Sequence, residues 1–213
     1  MPFMEECLDW PLSKVLPILQ HRIMDGSTYH GIPTLKNPLD FWIYQEILWE
    51  TRPDIVIEIG NYHGGSALAL AHFCDSLGAG KIIGVDTTHD NIDPRVRAHP
   101  RITLITGDAN DMRSAVEHLV QRNQSVMVIE DSAHTYEHTL KVLEAYSPLV
   151  GAGKYFIVED SICHHGLDVG PKPGPYEAVE AFVSVNKGFI VDRAREAYGI
   201  TWNPKGYLKR IAG

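Results

Sequence analysis

The sequence lacks the features expected of a secreted, membrane-spanning or nucleic-acid-binding protein. Its 213 residues include three cysteines, far apart and without a CxxC pair, so we expect no disulfide framework, no cysteine zinc site and a cytoplasmic location. No apolar run approaches the roughly 18 residues that a membrane helix needs, and the opening MPFMEECLDW does not resemble a signal peptide. The net charge of −8 disfavours nucleic acid and anionic membranes as partners.

What the sequence does contain is an alternation of strand-like and helix-like segments. Residues 38–51 have apolar positions at helical spacing. Five β-branched runs, each ending at a glycine or an acidic residue, are typical of strands buried on both faces: IVIEIG (55–60), KIIGVD (81–86), RITLITGD (101–108), SVMVIED (125–131) and KYFIVED (154–160). This alternation predicts an α/β fold with a mostly parallel sheet and right-handed crossovers, whose ligands bind beyond the carboxyl ends of the strands.

The two ends of the chain differ from this pattern. Residues 1–37 are less regular, and we expect an N-terminal cap or partner-contact segment there, followed by the main domain at 38–213. Near the other end, the NPKG sequence at 203–206 is a turn signal between two extended pieces. It predicts an antiparallel hairpin that closes the edge of the sheet.

The first predicted strand leads into a glycine-rich turn that opens a helix, and this turn predicts a nucleoside site. Glycines let the backbone approach a ligand closely, and Glu58 suits a cationic group such as the ammonium of a methionine moiety. Asp86 is placed to accept hydrogen bonds from ribose hydroxyls, and Asp108 could accept one from an adenine amino group. Taken singly, each aspartate is also typical of a helix N-cap. The residues expected to line the site are Glu58, Gly60, Asn61, Tyr62, Gly64, Ser66, Asp86, Asp108, Ala109 and Asp131.

A dinucleotide site is the first rival interpretation of this turn. The pattern G-x-G-x-x-G needs a glycine where the backbone meets a pyrophosphate. That position is Tyr62 here, and the sequence is G-x-x-x-G-G. The tyrosine and the nearby Glu58 both disfavour a nicotinamide oxidoreductase.

Two strand ends carry the sequence Glu-Asp, which predicts a metal site. Asp131, Glu159 and Asp160 should converge if the fourth and fifth strands are neighbours. Carboxylates that lie close together repel one another, and a divalent ion with oxygen ligands, Mg²⁺ or Mn²⁺, relieves that repulsion. The alternative is that one or two of these acids merely cap helices.

Histidines near the Glu-Asp pairs are candidates for acid–base chemistry. His134 follows Asp131 by three residues, about one helical turn, and suits general-base work near neutral pH. His134 and His138 also share the i, i+4 spacing of a zinc hydrolase, but Thr135 stands where that signature has glutamate. We assign no role to His164 and His165.

Several segments together resemble the rhamnosyl O-methyltransferase and cephalosporin hydroxylase family, over roughly residues 29–211. They are YHGIPTLKNPLDFWIYQEIL, PDIVIEIGNYHGGSAL, VIEDSAHTYEHTLKVLEAYSPLV and VEDSI. Macrolide-sugar O-methyltransferases are similar in the D-x-x-H and E-D elements. The resemblance implies a Rossmann-like class I methyltransferase fold with a seven-stranded sheet and S-adenosylmethionine as the methyl donor. It also implies metal ligands at Asp131, Glu159 and Asp160, with His134 as the base.

The expected function is therefore S-adenosylmethionine- and Mg-dependent O-methylation of a small natural product. The acceptor hydroxyl could belong to a sugar, a phenol, or a polyketide or peptide of secondary metabolism, antibiotic biosynthesis included, and we expect a homo-oligomer. The alternatives are a metal-dependent hydrolase or a hydroxylase of the same family name. A hydroxylase usually requires two histidines and one carboxylate for iron, which the carboxylate-rich site fits poorly.

Overall fold

The computed structural model describes residues 3–211 of the chain. The predicted segments 1–37 and 38–213 therefore each include two terminal residues outside the described part. The helices are α1 (Leu12–Gly26), α2 (Pro38–Thr51), α3 (Gly65–Leu77), α4 (Pro94–Ala98), α5 (Ala109–Leu119), α6 (Tyr136–Tyr146) and α7 (Pro175–Val185). The strands are β1 (Thr28–Tyr29), β2 (Ile32–Pro33), β3 (Ile55–Ile59), β4 (Lys81–Asp86), β5 (Ile102–Thr106), β6 (Val126–Glu130), β7 (Tyr155–Val158), β8 (Phe189–Val191) and β9 (Tyr207–Arg210).

The central sheet has seven strands in the order β5-β4-β3-β6-β7-β9-β8. The strands from β5 to β7 are parallel, whereas β9 runs antiparallel to both β7 and β8. The predicted fold class, a mostly parallel seven-stranded sheet with a C-terminal antiparallel hairpin, is confirmed. The chain proceeds outward from β3 to β5 on one side of the sheet and from β6 to β7 on the other. The loops that follow β3 and β6 therefore run in opposite directions and leave a crevice at the carboxyl ends of these strands.

The C-terminal hairpin is less compact than the turn signal suggested. β8 and β9 are joined by residues 192–206, and β9 inserts between β7 and β8 instead of forming the edge itself. The NPKG turn lies directly before β9, where the amide of Gly206 donates to the carbonyl of Asn203 at 2.8 Å. The turn therefore directs β9 into the sheet, and the rest of the connection crosses the end that carries the crevice.

Helices cover both faces of the sheet, which explains the continuous apolar strands. β3 and β6 are buried along their whole lengths, as parallel strands between two helical layers must be. Helix α2 has the predicted bounds. Asn37 caps it by accepting from the amide of Leu39 at 3.1 Å, Pro38 occupies the favoured first position, and Arg52 ends it in the left-handed region.

Helix α1 packs outside the two main layers. A separate small cluster joins Leu16, Leu19 and Ile23 of α1 to Leu167 and Trp202. Helix α1 thus packs against the segment after β7 and the connection to β9, at the carboxyl ends of the strands; the assignment of residues 1–37 as a cap or partner-contact segment stays a prediction. Among the residues described, no helix combines the length and the apolar character required to cross a bilayer.

Candidate active site

A cavity of about 540 Å³ opens at the carboxyl ends of the parallel strands. This volume is in the range typical of small-molecule and cofactor sites. Its lining comes from the glycine turn, from the strand ends after β4, β5, β6 and β7, and from the N-terminal cap. The predicted residues that line it are Gly60, Asn61, Tyr62, Ser66, Asp86, Asp108, Ala109, Asp131, His134 and Asp160. The predicted residues Glu58, Gly64 and Glu159 lie behind this lining.

Two glycines of the turn, Gly60 and Gly64, leave no room for a side chain, for different reasons. Gly60 has φ +87°, and a Cβ there would lie 1.9 Å from the carbonyl oxygen of Asp131. The close approach of the neighbouring strand end therefore excludes any side chain. Gly64 has φ +84°, and a Cβ there would meet Val96 and Ile92 at 2.9–3.1 Å. Its role is to let α4 and the preceding loop pack against α3, so its assignment to the ligand site stays a prediction.

Asp86 supports the glycine turn as well as facing the cavity. Its Oδ2 accepts from the backbone amides of Asn61 at 2.7 Å and Tyr62 at 3.2 Å. Its Oδ1 lies near Thr87 and the amide of Thr88, at 3.2 and 3.5 Å. The carboxylate therefore binds the turn mainly through one oxygen, while the side chain remains on the cavity wall, where a ribose is expected.

Glu58 is fully buried beneath the turn, and His89 belongs to the same network. Oε2 of Glu58 accepts from Nδ2 of Asn61 at 2.9 Å, and Oδ1 of Asn61 lies 3.1 Å from Nε2 of His89. Oε1 of Glu58 has no hydrogen-bond partner within the described part of the chain. Burial raises the pKa of Glu58. The side chains of Ser66 and Asn61 oppose that shift. Because Glu58 does not line the cavity, its contact with a ligand stays a prediction.

Asp108 is a helix N-cap as well as a cavity residue. Its Oδ1 accepts from the amide of Asn110 at 2.9 Å at the start of α5. The hydrogen bond from the backbone amide of Asn110 holds the pKa of Asp108 below its ordinary value. Asp108 is therefore the N-cap of α5, and its contact with an adenine stays a prediction.

Two of the three predicted metal ligands lie together with His134. Asp131, His134 and Asp160 each offer one ligand atom, and these atoms lie within 4.8 Å of one another. Burial raises the pKa of Asp160 to about 6, and the charge of nearby Asp131 adds to the shift while His134 opposes it. Glu159 lies outside this group of atoms, and its role as a ligand stays a prediction.

Lys36 is a site residue that sequence reasoning missed. Its ammonium contacts Oδ2 of Asp131 and lies 2.5 Å from Oε1 of Glu159. Burial lowers the pKa of Lys36, but the charges of Asp131 and Glu159 outweigh that effect and raise it overall. Burial and Asp131 raise the pKa of Glu159 well above its ordinary value, although Lys36 opposes them. Lys36 directly precedes Asn37, the N-cap of α2, and no local sequence pattern marks it as a site residue.

His134 reaches the site from a loop and not from a helix. Helix α6 begins at Tyr136, and His134 has φ +52°. The expected position near Asp131 is found, but a left-handed residue in the loop produces it in place of a helical turn. Nε2 of His134 lies 3.8 Å from Oδ1 of Asp131 and 3.5 Å from Oδ2 of Asp160. About 30% of its side chain is exposed, so the ring can meet a ligand.

His138 lines the same cavity but has partners of its own. Its Nε2 lies 2.9 Å from Oγ of Ser132, which donates to buried Glu130 at 2.7 Å. Burial raises the pKa of Glu130 to about 8. His138 is thus tied through Ser132 to a buried carboxylate behind the cavity wall. No zinc group of His134 with His138 occurs among the described residues.

Further residues that sequence reasoning missed come from the cap and from the segment after β7. They are Gln20, Met24, Ile162, Cys163, Val169 and Trp202. His164 and His165 do not line the cavity: His164 pairs with Asp168 at 2.8 Å and His165 with Glu177 at 2.9 Å. Met24, Ile162, Cys163, Val169 and Trp202 give the cavity a largely apolar part of its wall.

This sheet order, together with cavity-lining residues at the carboxyl ends of the strands and an antiparallel C-terminal hairpin, defines a Rossmann-like class I methyltransferase fold. The chain belongs to the Rhamnosyl O-methyltransferase/CmcI family, whose model matches residues 21–211. The family resemblance noted in the sequence is thereby confirmed, and with it an O-methyltransferase assignment at the level of the family.

Curated relatives support this membership. A rhamnosyl O-methyltransferase of Mycobacterium tuberculosis is 37% identical over 193 residues, which cover 86% of this chain and 78% of the relative. A rhamnosyl O-methyltransferase of Mycobacterium leprae is 36% identical over 196 residues, covering 88% of this chain and 85% of the relative.

Solved structures are similar over most of the chain. CmcI with Mg and SAM has 28% identity and a TM-score of 0.68, covering 87% of this chain and 77% of that chain. An O-methyltransferase from Bacillus cereus in complex with SAH has 15% identity and a TM-score of 0.55, covering 82% and 77%. The second likeness concerns the fold alone.

Proposed function

We propose that this protein transfers a methyl group from S-adenosylmethionine to a hydroxyl of a small natural product, with the help of Mg²⁺ or Mn²⁺. The observation that carries this proposal is the grouping of Asp131, His134 and Asp160 within 4.8 Å on the wall of a cavity that also contains the glycine turn and Asp86. One pocket thus offers oxygen ligands, a proton acceptor and a nucleoside-sized cleft. The Mg and SAM bound to CmcI support the same pairing of groups.

The cavity fits S-adenosylmethionine. Its volume of about 540 Å³ accommodates a nucleoside with an amino-acid tail. Asp86 lies on the wall where a ribose would bind, and Asp108 and Ala109 lie where an adenine would bind. Glu58, buried beneath the turn, would favour the positively charged end of the cofactor. S-adenosylmethionine would supply the transferable methyl group.

The donor set fits a hard divalent ion. Asp131 and Asp160 supply carboxylate oxygens, which Mg²⁺ and Mn²⁺ prefer. Glu159 would be a third ligand through the oxygen that Lys36 does not contact. Such an ion would supply Lewis acidity that lowers the cost of deprotonating an acceptor hydroxyl.

His134 is the proposed general base. Its Nε2 faces the two aspartates, and the ring is partly exposed to the cavity. In the proposed reaction Nε2 of His134 would take the proton of the acceptor hydroxyl, whose oxygen would receive the methyl group that S-adenosylmethionine supplies.

The acceptor would bind between the carboxylates and the apolar wall that contains Met24, Ile162 and Trp202. A sugar hydroxyl is the first acceptor to test, because the curated relatives are rhamnosyl O-methyltransferases. Phenols and polyketide or peptide hydroxyls of secondary metabolism, including antibiotic biosynthesis, come next. A cytoplasmic homo-oligomer remains part of this proposal.

The test is methyl transfer itself. Purified protein is incubated with S-adenosylmethionine, Mg²⁺ and a panel of rhamnosyl glycosides and catechols, and products are analysed by mass spectrometry. We expect a product heavier by one methylene unit, lost in excess chelator and restored by added Mg²⁺. Full activity after exhaustive chelation would remove the metal from the mechanism, and preferential binding of NAD in calorimetry would overturn the cofactor assignment.

A further inference from the structure

The side chain of Lys36 is buried inside a cluster of acidic groups. Only 7% of it is exposed, and its ammonium contacts Asp131 and Glu159, with Glu58 close enough to affect its electrostatics. It is the one lysine or arginine among the described residues that line the cavity. The positive charge nearest to the proposed metal ligands therefore comes from the N-terminal segment and not from the sheet.

The backbone around Lys36 is held firmly, so the position of its side chain is determined by the fold. The amide of Lys36 donates to the carbonyl of Thr34 at 2.9 Å, and its carbonyl accepts from Oγ of Ser27 at 3.3 Å. The next residue is the N-cap of α2. Thr34 itself fills the space where Gly65 lacks a side chain, because a Cβ there would lie 1.8 Å from its Oγ1.

The charges of the cluster explain why a lysine is needed. Asp131, Glu159 and Asp160 together carry three negative charges when ionised, and carboxylates this close repel one another. Removing them from water adds a desolvation cost that only pairing offsets. Lys36 takes one oxygen of Asp131 and one of Glu159, which leaves the second oxygen of each carboxylate without this partner.

We propose that Lys36 is the resident counter-ion of this site, a positioning residue that keeps Asp131 and Glu159 assembled when no divalent ion is bound. With all three carboxylates ionised, Lys36 reduces their summed charge from −3 to −2, which a single divalent ion would balance. The role rests on the proposed function only in assuming that a divalent ion binds at these carboxylates. It gives the N-terminal segment a direct part in forming the site.

The test measures thermal unfolding, so it does not depend on methyl transfer. Wild type, Lys36→Met and the exposed control Lys81→Met are unfolded in chelator and in saturating Mg²⁺. In chelator, Lys36→Met should unfold about 5–15 °C below wild type because two buried carboxylates lose their partner, while Lys81→Met should match wild type. Mg²⁺ should raise the unfolding temperature of Lys36→Met more than that of wild type, because the ion replaces the missing charge.

A second variant separates charge from packing. If Lys36 acts as a counter-ion, Lys36→Met combined with Glu159→Gln should unfold above Lys36→Met alone, because the unpaired charge is gone. Two results would contradict the counter-ion role of Lys36. One is a decrease in the unfolding temperature of the double variant equal to the sum of the two single decreases. The other is a Mg²⁺-dependent increase in Lys36→Met no larger than in wild type. Absence of any Mg²⁺ response in wild type would instead contradict the proposed metal site, and the double variant in chelator would still decide the role of Lys36.

Discussion

Nε2 of His134 lies 3.5 Å from Oδ2 of Asp160, although 26 residues of sequence separate the two. His134 has a left-handed backbone conformation in the loop before α6, and Asp160, with φ +54°, also lies in the left-handed region. Non-glycine residues adopt this conformation infrequently, and it is concentrated at functional sites. Both backbones are thus shaped to direct an imidazole and a carboxylate into one cavity.

His134→Ala should reduce turnover by about 10²–10⁴, because a positioned general base contributes that much. Binding of S-adenosylmethionine should remain nearly unchanged, since His134 is not among the residues expected to contact the cofactor. The remaining rate should rise with pH, because hydroxide can replace the lost base. Steady-state kinetics and calorimetry measure these effects.

The matched control for that variant is His118→Ala, on the exposed surface of α5. His138 is not a suitable control because it lines the same cavity. A folded His134→Ala protein with the turnover of wild type would exclude His134 as the base.

Asp86→Asn should weaken binding of S-adenosylmethionine by about 1–3 kcal/mol. The amide oxygen of the variant can still accept from the backbone amides of Asn61 and Tyr62, but its NH2 group then replaces the charged acceptor expected to face the ribose. Isothermal titration calorimetry measures the affinity, with the exposed Asp90→Asn as the control. An unchanged dissociation constant would remove Asp86 from the cofactor site.

Asp40→Asn should lower the free energy of unfolding by about 2–4 kcal/mol, because the buried carboxylate accepts from several donors and an amide cannot satisfy them all. Those donors are the side chains of Asn37, Thr201 and Tyr207 and the backbone amide of Trp202. Urea unfolding followed by circular dichroism measures the change. Asp111→Asn on exposed α5 should have little effect, and an equal loss in both variants would contradict the assigned role of Asp40.

Cys163 should resist alkylation in the folded protein. Burial, followed by the nearby charge of Asp160, raises the pKa of Cys163 to about 11, so the neutral thiol predominates below that pH. At pH 8 only about one molecule in 10³ carries the reactive thiolate. Mass spectrometry after iodoacetamide treatment should show modification of Cys163 only after unfolding. Rapid labelling of Cys163 in the native protein would contradict a buried thiol with a raised pKa.

Much of the fold follows from local sequence. β-branched runs that end at acidic residues predict buried parallel strands, because such strands need apolar side chains on both faces and expose polar groups only at their ends. The same reasoning placed Asp86, Asp131 and Asp160 at one edge of the sheet, and the structure brings them to one cavity. The bounds of α2 were predictable because Asn37 and Pro38 are strong local signals for the start of a helix.

The contacts that complete the site were decided by tertiary structure. Lys36 contacts Asp131 across 95 positions of sequence, and no local pattern encodes a pairing at that separation. The contact of Gly64 with Val96 and Ile92, which leaves no room for a side chain, was likewise not predictable from the glycine pattern. His134 reaches Asp160 through a left-handed loop residue and not through helical periodicity. Sequence by itself determined which strand ends carry acidic groups, because strand burial is a local pattern; only the packing of the N-terminal segment over those ends decided which cation they meet.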